Sequence, residues 1–510
     1  MAESKSSDLK GTGAKGPDSQ SNTDHRLKTG IPGLDALTRG GLVRGRAAVL
    51  CGASGTGKTV MCGQYLAAGV EQFGEAGVYV TFEESVADLR ENLSRFGWDV
   101  AGMESAKKLL FVDASPRADE NEVVVKGDYD LAALRARVLY AIEQVQATRV
   151  AVDSLAALFM RFPDVGIVRR ELFRLTSALN EAGVTTLMTT EQLPGESDRL
   201  SRFGVEEFVA DSVMLIRNVP EISRRRRTLE VLKMRGSDHA SGAFPFSISS
   251  DGIQTIPLGT LKLEQPSTDK RISSGCKALD AMCGGGFFRD SVTIVSGATG
   301  TGKTLTAMQF LRGAAEQSER AVVFGYEESR PQLMRNAESW GIDLEGMEKD
   351  GLVEIHCQFP ESGSLEDHLA RVRSVIKRFK AQRVVVDSIT ALQRIGSVSA
   401  FREFALGLTS MLKEAQVAGL YTSTSDSLFG SRSVTEQHIS TLTDAILLLR
   451  YVEFKGEMHR GVTVLKMRGS AHDKSIRQFR ITSEGMDIGE PFADMAGILA
   501  GHLSILGDQG

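Results

Sequence analysis

The sequence predicts an α/β chain built twice over, as two tandem domains, each a mainly parallel sheet flanked by helices. Three observations carry that expectation. Blocks of sequence recur in the same order in the two halves of the 510 residues. Short apolar runs alternate with helical stretches, which is the pattern of βαβ units. Each half also places a glycine-rich loop directly after an apolar run.

The repeat organises everything else. Gly30-Ile-Pro-Gly-Leu-Asp35 is matched by Gly275-Cys-Lys-Ala-Leu-Asp280, and Asp35 to Asp280 is the same shift of 245 residues as Lys58 to Lys303. Thr81-Phe-Glu-Glu-Ser85 matches Gly325-Tyr-Glu-Glu-Ser329, and Arg149-Val-Ala-Val-Asp-Ser154 matches Arg383-Val-Val-Val-Asp-Ser388. Leu232-Lys-Met-Arg-Gly-Ser237 matches Leu465-Lys-Met-Arg-Gly-Ser470. The expected layout is a disordered segment at 1–25, a first domain at 26–256, a linker at 257–270, a second domain at 271–490 and a tail at 491–510.

In the first domain the expected buried strands are Ala47–Cys51, Val78–Phe82, Val150–Asp153 and Thr185–Thr189; in the second they are Val292–Ser296, Val322–Phe324, Val384–Asp387 and Leu420–Ser423. Shorter strands joined by turns follow at Asp211–Arg217, Thr228–Lys233 and Phe246–Ser249, and at Asp444–Arg450, Val462–Lys466 and Phe479–Thr482.

Composition narrows the class. Hydrophobic residues are 42% and charged residues 25%, ordinary for globular proteins. Net charge is −5, which supplies no global pull toward nucleic acid or anionic lipid. Five cysteines, none in a C-x-x-C pair, argue against a disulfide framework and for a reducing, cytoplasmic setting. No apolar run is long enough for a membrane span.

The loops carry the chemistry. Gly52, Gly55, Thr56, Gly57, Lys58 and Thr59 form one complete G-x-x-x-x-G-K-T loop; Gly297, Gly300, Thr301, Gly302, Lys303 and Thr304 form the other. Backbone N–H groups in such loops turn around phosphate oxygens, the lysine reaches the β- and γ-phosphates, and the threonine hydroxyl serves Mg²⁺. Asp153 and Asp387 end apolar runs and suit the acid that closes the magnesium site. The pairs Glu83-Glu84 and Glu327-Glu328 follow another strand, where one carboxylate can take a proton from a nucleophile or hold the metal. Lys233 and Arg235, with Lys466 and Arg468, are expected at alternate positions of a strand, gripping an anion held by the next subunit. Arg224–Arg227 reads as a solvated turn rather than a nucleic-acid patch.

From Leu27 to Glu490 the chain resembles the KaiC family of circadian clock ATPases, double-domain members of the RecA-like class. The two loops, the two Glu-Glu pairs, the two Lys-Met-Arg-Gly strands and His438-Ile-Ser-Thr-Leu-Thr-Asp444 carry the likeness. The resemblance implies two RecA-like P-loop NTPase domains stacking as a double ring in a homohexamer, with ATP and Mg²⁺ at the subunit interfaces. It implies ATP hydrolysis in the first ring, and in the second a serine/threonine autokinase and autophosphatase acting on Ser440 and Thr441. Glu83 and Glu327 become the activating carboxylates, with Glu84 and Glu328 beside them and Glu327 also toward the metal. Lys233, Met234, Arg235, Ser237 and His239 would touch the first-ring nucleotide from the neighbouring subunit. Arg460, Lys466, Met467, Arg468, Ser470 and His472 would do so in the second ring, with Trp340 near the base. Arg95 and Ser250 depart from the family's residues around the first nucleotide.

A KaiB-like partner and an output histidine kinase are further implications. The tail after Phe492 lacks the long charged extension used by a KaiA-type activator, which argues against that dependence. Two other readings stand beside this one: a RecA-like nucleic-acid-dependent ATPase, against which the acidic balance speaks, and a nucleotide-gated signalling scaffold.

Overall fold

The computed structural model describes residues 25–115, 131–156, 164–192, 209–220, 225–255, 267–425, 441–454, 456–492, 495–496 and 504–505. Ser440, Arg224, residues 1–24, residues 257–266 of the expected linker and most of the tail lie outside them. The chain divides into two compact units, and each half of the sequence carries one nine-stranded sheet.

In the first sheet the strands are β1 (Ala47–Gly52), β2 (Gly77–Thr81), β3 (Leu109–Asp113), β4 (Arg149–Asp153), β5 (Thr185–Glu191), β6 (Ser212–Pro220), β7 (Arg225–Met234), β8 (Ala243–Ser249) and β9 (Gly252–Thr255). Their spatial order is β9-β8-β7-β6-β1-β5-β4-β2-β3. In the second sheet they are β10 (Val292–Gly297), β11 (Ala321–Gly325), β12 (Val353–Cys357), β13 (Arg383–Asp387), β14 (Ala418–Thr424), β15 (Ala445–Phe454), β16 (Glu457–Met467), β17 (Arg477–Thr482) and β18 (Gly485–Pro491). Their order is β12-β11-β13-β14-β10-β15-β16-β17-β18, the same arrangement strand for strand. From β12 to β15 the neighbours pair in parallel, and from β15 to β18 they are antiparallel.

Burial explains which strands the pattern reveals. Every residue of β1, β2 and β10 is buried, as expected of parallel strands covered on both faces. The strands that periodicity missed lie at sheet edges. In β3 only Leu109 and Val112 of the apolar stretch Leu109-Leu-Phe-Val112 are buried, and in β18 only Gly485 and Met486. The tail contributes a short antiparallel pairing of Met495–Ala496 with Ser504–Ile505.

Two expectations about the basic segments are corrected. Arg225 to Arg227 open β7 rather than forming a turn. Arg235 and Arg468 lie one residue past the ends of β7 and β16, in the following turns, so only the lysine of each pair is within its strand.

Each unit is tied together by a buried arginine at the start of a central strand. Arg149 pairs with Glu75 and donates to Lys28 O, Thr29 O and Tyr65 O. Arg383 pairs with Glu319 and donates to Ser273 O, Phe310 O, Gly313 O and Gln317. A guanidinium offers five donors, which suits a hub fixing several chain segments at once. No helix among the described residues is long and apolar enough to cross a membrane.

Candidate functional site

Each glycine-rich loop leaves the C-terminal end of a fully buried strand and enters a helix. Those helices are α1 (Lys58–Phe73) and α2 (Lys303–Ala315). Their N-caps are Gly57 at φ 107° and Gly302 at φ 103°, left-handed backbone that a residue with a Cβ rarely adopts. A glycine cap has no side chain to bond the first turn, so the helix N–H groups remain available to an anion. Thr56 and Thr301 are spent on the loop itself, each donating to a carbonyl (Ala53 O and Ala298 O) at 2.8 Å.

The loop lysines are parked on their own cradles. Lys58 Nζ donates to Gly52 O at 2.8 Å and Ala53 O at 3.0 Å; Lys303 Nζ donates to Gly297 O and Ala298 O, both at 2.9 Å. Burial draws both ammonium groups below the usual lysine range, opposed by Asp153, Glu191 and Glu83 in the first unit and by Asp387 and Glu327 in the second. The expected carboxylates therefore do gather around the loop lysines.

The strand-end acids take their places beside the loop threonines. Asp153 Oδ2 accepts from Thr59 Oγ1 at 2.7 Å and from the Tyr79 hydroxyl at 2.9 Å, and Oδ1 accepts from Thr189 Oγ1 at 2.5 Å. Asp387 accepts from Thr422 and Thr304, and burial pushes its carboxyl above the usual range. A threonine hydroxyl held against a strand-end aspartate is a donor set that fits a magnesium ion carrying ATP.

One glutamate of each pair faces this acid. Glu83 Oε1 accepts from Ser154 Oγ at 2.5 Å, and Glu327 Oε1 from Ser388 Oγ at 2.9 Å. The second glutamate turns away onto the following helix, Glu84 against Asn92 and Glu328 against Asn336. Burial raises the Glu328 carboxyl, with Asp387 adding to the effect.

The basic pairs sit at the other end of the sheet. Lys233 Nζ donates to Ala210 O at 2.9 Å, and Arg235 lies 3.8 Å from the Asp211 carboxylate. Asp211 N bonds Ala47 O, at the start of β1, whereas the phosphate loop follows Gly52 at its end. At ~3.3 Å per residue, the strand separates the two by roughly 17 Å. The second unit repeats this: Lys466 Nζ donates to Thr443 O at 2.6 Å, Arg468 donates to Thr441 O at 2.9 Å, and Asp444 N bonds Val292 O.

Arg460 does not join that group. Its Nε donates to Gly300 O of its own loop at 3.2 Å, beside Tyr451. Met234 and Met467 are buried, and Met467 belongs to the apolar core. Ser237 donates to Asp238 O, His239 contacts Ala240 O, and Ser470 accepts from Arg271. His472 is half-buried, and Trp340 caps the helix Arg330–Ser339 while packing on the core.

Sequence reasoning missed the hydroxyls that orient these acids: Ser154, Ser388, Thr189, Thr422 and Tyr79. The two serines were within reach, because each follows its aspartate in a duplicated block. Thr189 and Thr422 also occupy corresponding places, opposite Leu50 on β1 and Val295 on β10.

Comparison with known proteins agrees with this geometry. A family model described as "ATPase: KaiC" matches residues 27–260 and 272–492. The chain is 51% identical over 485 residues to the circadian clock protein KaiC3 of Synechocystis sp., covering 95% of each. It is 50% identical over 486 residues to the circadian clock oscillator protein KaiC of Thermostichus vulcanus, covering 95% of this chain and 93% of that one. It is 49% identical over 476 residues to the KaiC of Prochlorococcus marinus, covering 93% and 95%.

Proposed function

The chain belongs to the KaiC family of circadian clock ATPases, and from that premise we propose that it hydrolyses ATP in its first unit and phosphorylates itself on Ser440 and Thr441 in its second. The observation that carries this reading is the duplicated Lys, Thr, Asp, Glu and Ser constellation at the C-terminal edge of each sheet. Both units carry the same candidate phosphate-side and metal-side residues, and only the second aligns hydroxyls with the acceptor segment. A shift of 233 residues, which relates Asp211 to Asp444 and Lys233 to Lys466, places Ser440 and Thr441 opposite Glu207 and Phe208. Ser440, Glu207 and Phe208 lie outside the described residues.

In the first unit, Lys58 leaves its loop carbonyls for the β- and γ-phosphates when nucleotide enters. Thr59 and Asp153 would hold Mg²⁺, which neutralises charge developing on the phosphates. Glu83, steadied by Ser154, takes the proton of a water whose oxygen bonds the γ-phosphorus as the bond to ADP breaks. In the second unit, Lys303, Thr304 and Asp387 have the same roles. Glu327 takes the proton of the acceptor hydroxyl, and the oxygen of Thr441 or Ser440 replaces ADP on the γ-phosphorus.

The basic pairs support assembly as a ring. Lys233 and Arg235 lie at the opposite end of β1 from their own phosphate loop, as Lys466 and Arg468 do from theirs. They suit the nucleotide of a neighbouring subunit, and a closed homohexamer lets every site be completed this way. Arg468 also contacts Thr441, so the acceptor segment and the gripping arginine are in direct touch. A KaiB-like partner and an output histidine kinase belong to the same proposal, as does a cytoplasmic setting.

The test is incubation of purified protein with γ-labelled ATP, followed by phosphopeptide mapping. Label on the peptide containing Ser440 and Thr441 is the expected result. ATP hydrolysis with no label on protein would leave only the ATPase part standing.

A further inference from the structure

The second unit carries a lysine beside its acceptor segment where the first unit has an asparagine. A shift of 233 residues relates the helix Val165–Glu181 to the helix Val398–Glu414, and at that shift Asn180 corresponds to Lys413. Lys413 lies in the last turn of its helix. Its Nζ donates to Asp444 Oδ1 at 2.8 Å, and both side chains are largely shielded from water. Asp444 Oδ2 accepts from Val292 N at 2.9 Å, which pins the carboxylate to the start of β10. In the first unit the Asn180 side-chain oxygen is buried without a hydrogen-bond partner, and Asp211 has Arg46 at 4.0 Å and Arg235 at 3.8 Å.

Asp444 stands three residues after Thr441, and Arg468 reaches toward both. Its Nη2 donates to Thr441 O at 2.9 Å, while its Nη1 stays 3.7 Å from Asp444 Oδ1, beyond a hydrogen bond. Lys413 therefore makes the close contact with the carboxylate and leaves the guanidinium to the acceptor segment. A shielded carboxylate stripped of its cation is costly, and Arg468 is near enough to take the place of Lys413. A cavity of about 350 Å³ bounded by Lys413, Asp444 and Arg468 gives the arginine room to swing. We propose that Lys413 is a positioning residue for phosphotransfer in the second unit: by neutralising Asp444 it keeps Arg468 on the carbonyl of Thr441. The inference rests on the reading of Ser440 and Thr441 as phosphoacceptors.

Lys413→Met keeps an apolar stem and removes the charge. The full chain is compared with Lys413→Met, with Lys413→Arg, and with Lys413→Met combined with Asp444→Asn. Label from γ-labelled ATP on the peptide containing Ser440 and Thr441 is followed over time at saturating ATP, and phosphate release is measured alongside. The labelling rate of the Lys413→Met chain is expected to fall roughly tenfold, the scale of one hydrogen bond to a charged group. Phosphate release, assigned to the first unit, should stay at the parent level. Lys413→Arg should retain labelling. Adding Asp444→Asn should restore it, because an amide no longer attracts Arg468 yet can still accept from Val292 N. A lysine with a merely structural role would not be rescued by a second substitution of that kind. Labelling at the parent rate in Lys413→Met overturns the inference, as does a loss that Asp444→Asn fails to rescue. A parent chain that releases phosphate but never labels itself sinks the acceptor reading, and the inference falls with it.

Discussion

Ser154 Oγ donates to Glu83 Oε1 at 2.5 Å, and the same bond recurs between Ser388 and Glu327 at 2.9 Å. Each serine directly follows the aspartate that the proposed function places on the metal side of its site. One strand end therefore carries both that aspartate and the hydroxyl that orients the neighbouring glutamate.

The first prediction follows from that bond. Ser154→Ala frees the Glu83 carboxylate to rotate, and misplacement of a general base loses part of its ~10²–10⁴-fold contribution. Steady-state phosphate release should fall about tenfold, while nucleotide affinity stays unchanged. A fall in affinity of the same size would make Ser154 part of the binding site.

The second concerns assembly. In the proposed function Lys58 supplies the charge that holds the triphosphate in the first unit, and nucleotide at an interface links neighbouring subunits. Lys58→Ala should shift the protein from the hexamer toward smaller species in ATP-containing size-exclusion chromatography, and should lower bulk hydrolysis with it. An unshifted hexamer would separate assembly from first-unit nucleotide.

The third concerns direction of transfer. Arg468 and Lys466 touch Thr441 and Thr443 at the end of the sheet opposite their own phosphate loop. Subunits carrying Lys303→Ala, mixed with subunits carrying Ser440→Ala and Thr441→Ala, should acquire label on the Lys303→Ala chain. No label in rings shown to have exchanged subunits contradicts transfer between neighbours.

The fourth concerns stability. Arg383 is fully buried, paired with Glu319, and bonded to three backbone carbonyls. Breaking a buried pair by removing one partner typically costs ~3–5 kcal/mol, because the remaining charge stays buried. Arg383→Leu should lower the melting temperature of the second unit by several degrees in calorimetry, whereas Arg95→Ala, on an exposed pair with Glu91, should leave it unchanged.

Much of this was legible because the chain repeats itself. The buried strands β1, β2 and β4 centre on apolar runs, and their counterparts recur in the same order, at shifts of 245, 244 and 234 residues. The edge strands Leu109–Asp113 and Val353–Cys357 were missed: both are only partly buried, and polar Glu354 and His356 interrupt the second, whereas Leu109-Leu-Phe-Val112 is an apolar run that the reading passed over. The phosphate loops, Asp153, Asp387, Glu83 and Glu327 could be singled out as candidates because each lies in a duplicated block at the end of an apolar run. Arg460 was grouped with Lys466 and Arg468 by the family resemblance, and within the chain it lies against Gly300. A long antiparallel strand carries residues only a few positions apart to opposite ends of the sheet. Tyr79 was invisible as a site residue because a buried tyrosine on a strand looks like core. Its hydroxyl matters only once Asp153 is seen beside it.

The division of labour is tested most directly by counting released phosphate and protein-bound label in the same γ-labelled ATP reaction, for Glu83→Gln and Lys303→Ala chains beside the parent. Glu83→Gln should release little phosphate while still labelling the peptide with Ser440 and Thr441, and Lys303→Ala should release phosphate with no label. Label persisting on Lys303→Ala subunits assembled alone would contradict the assignment of phosphotransfer to the second unit.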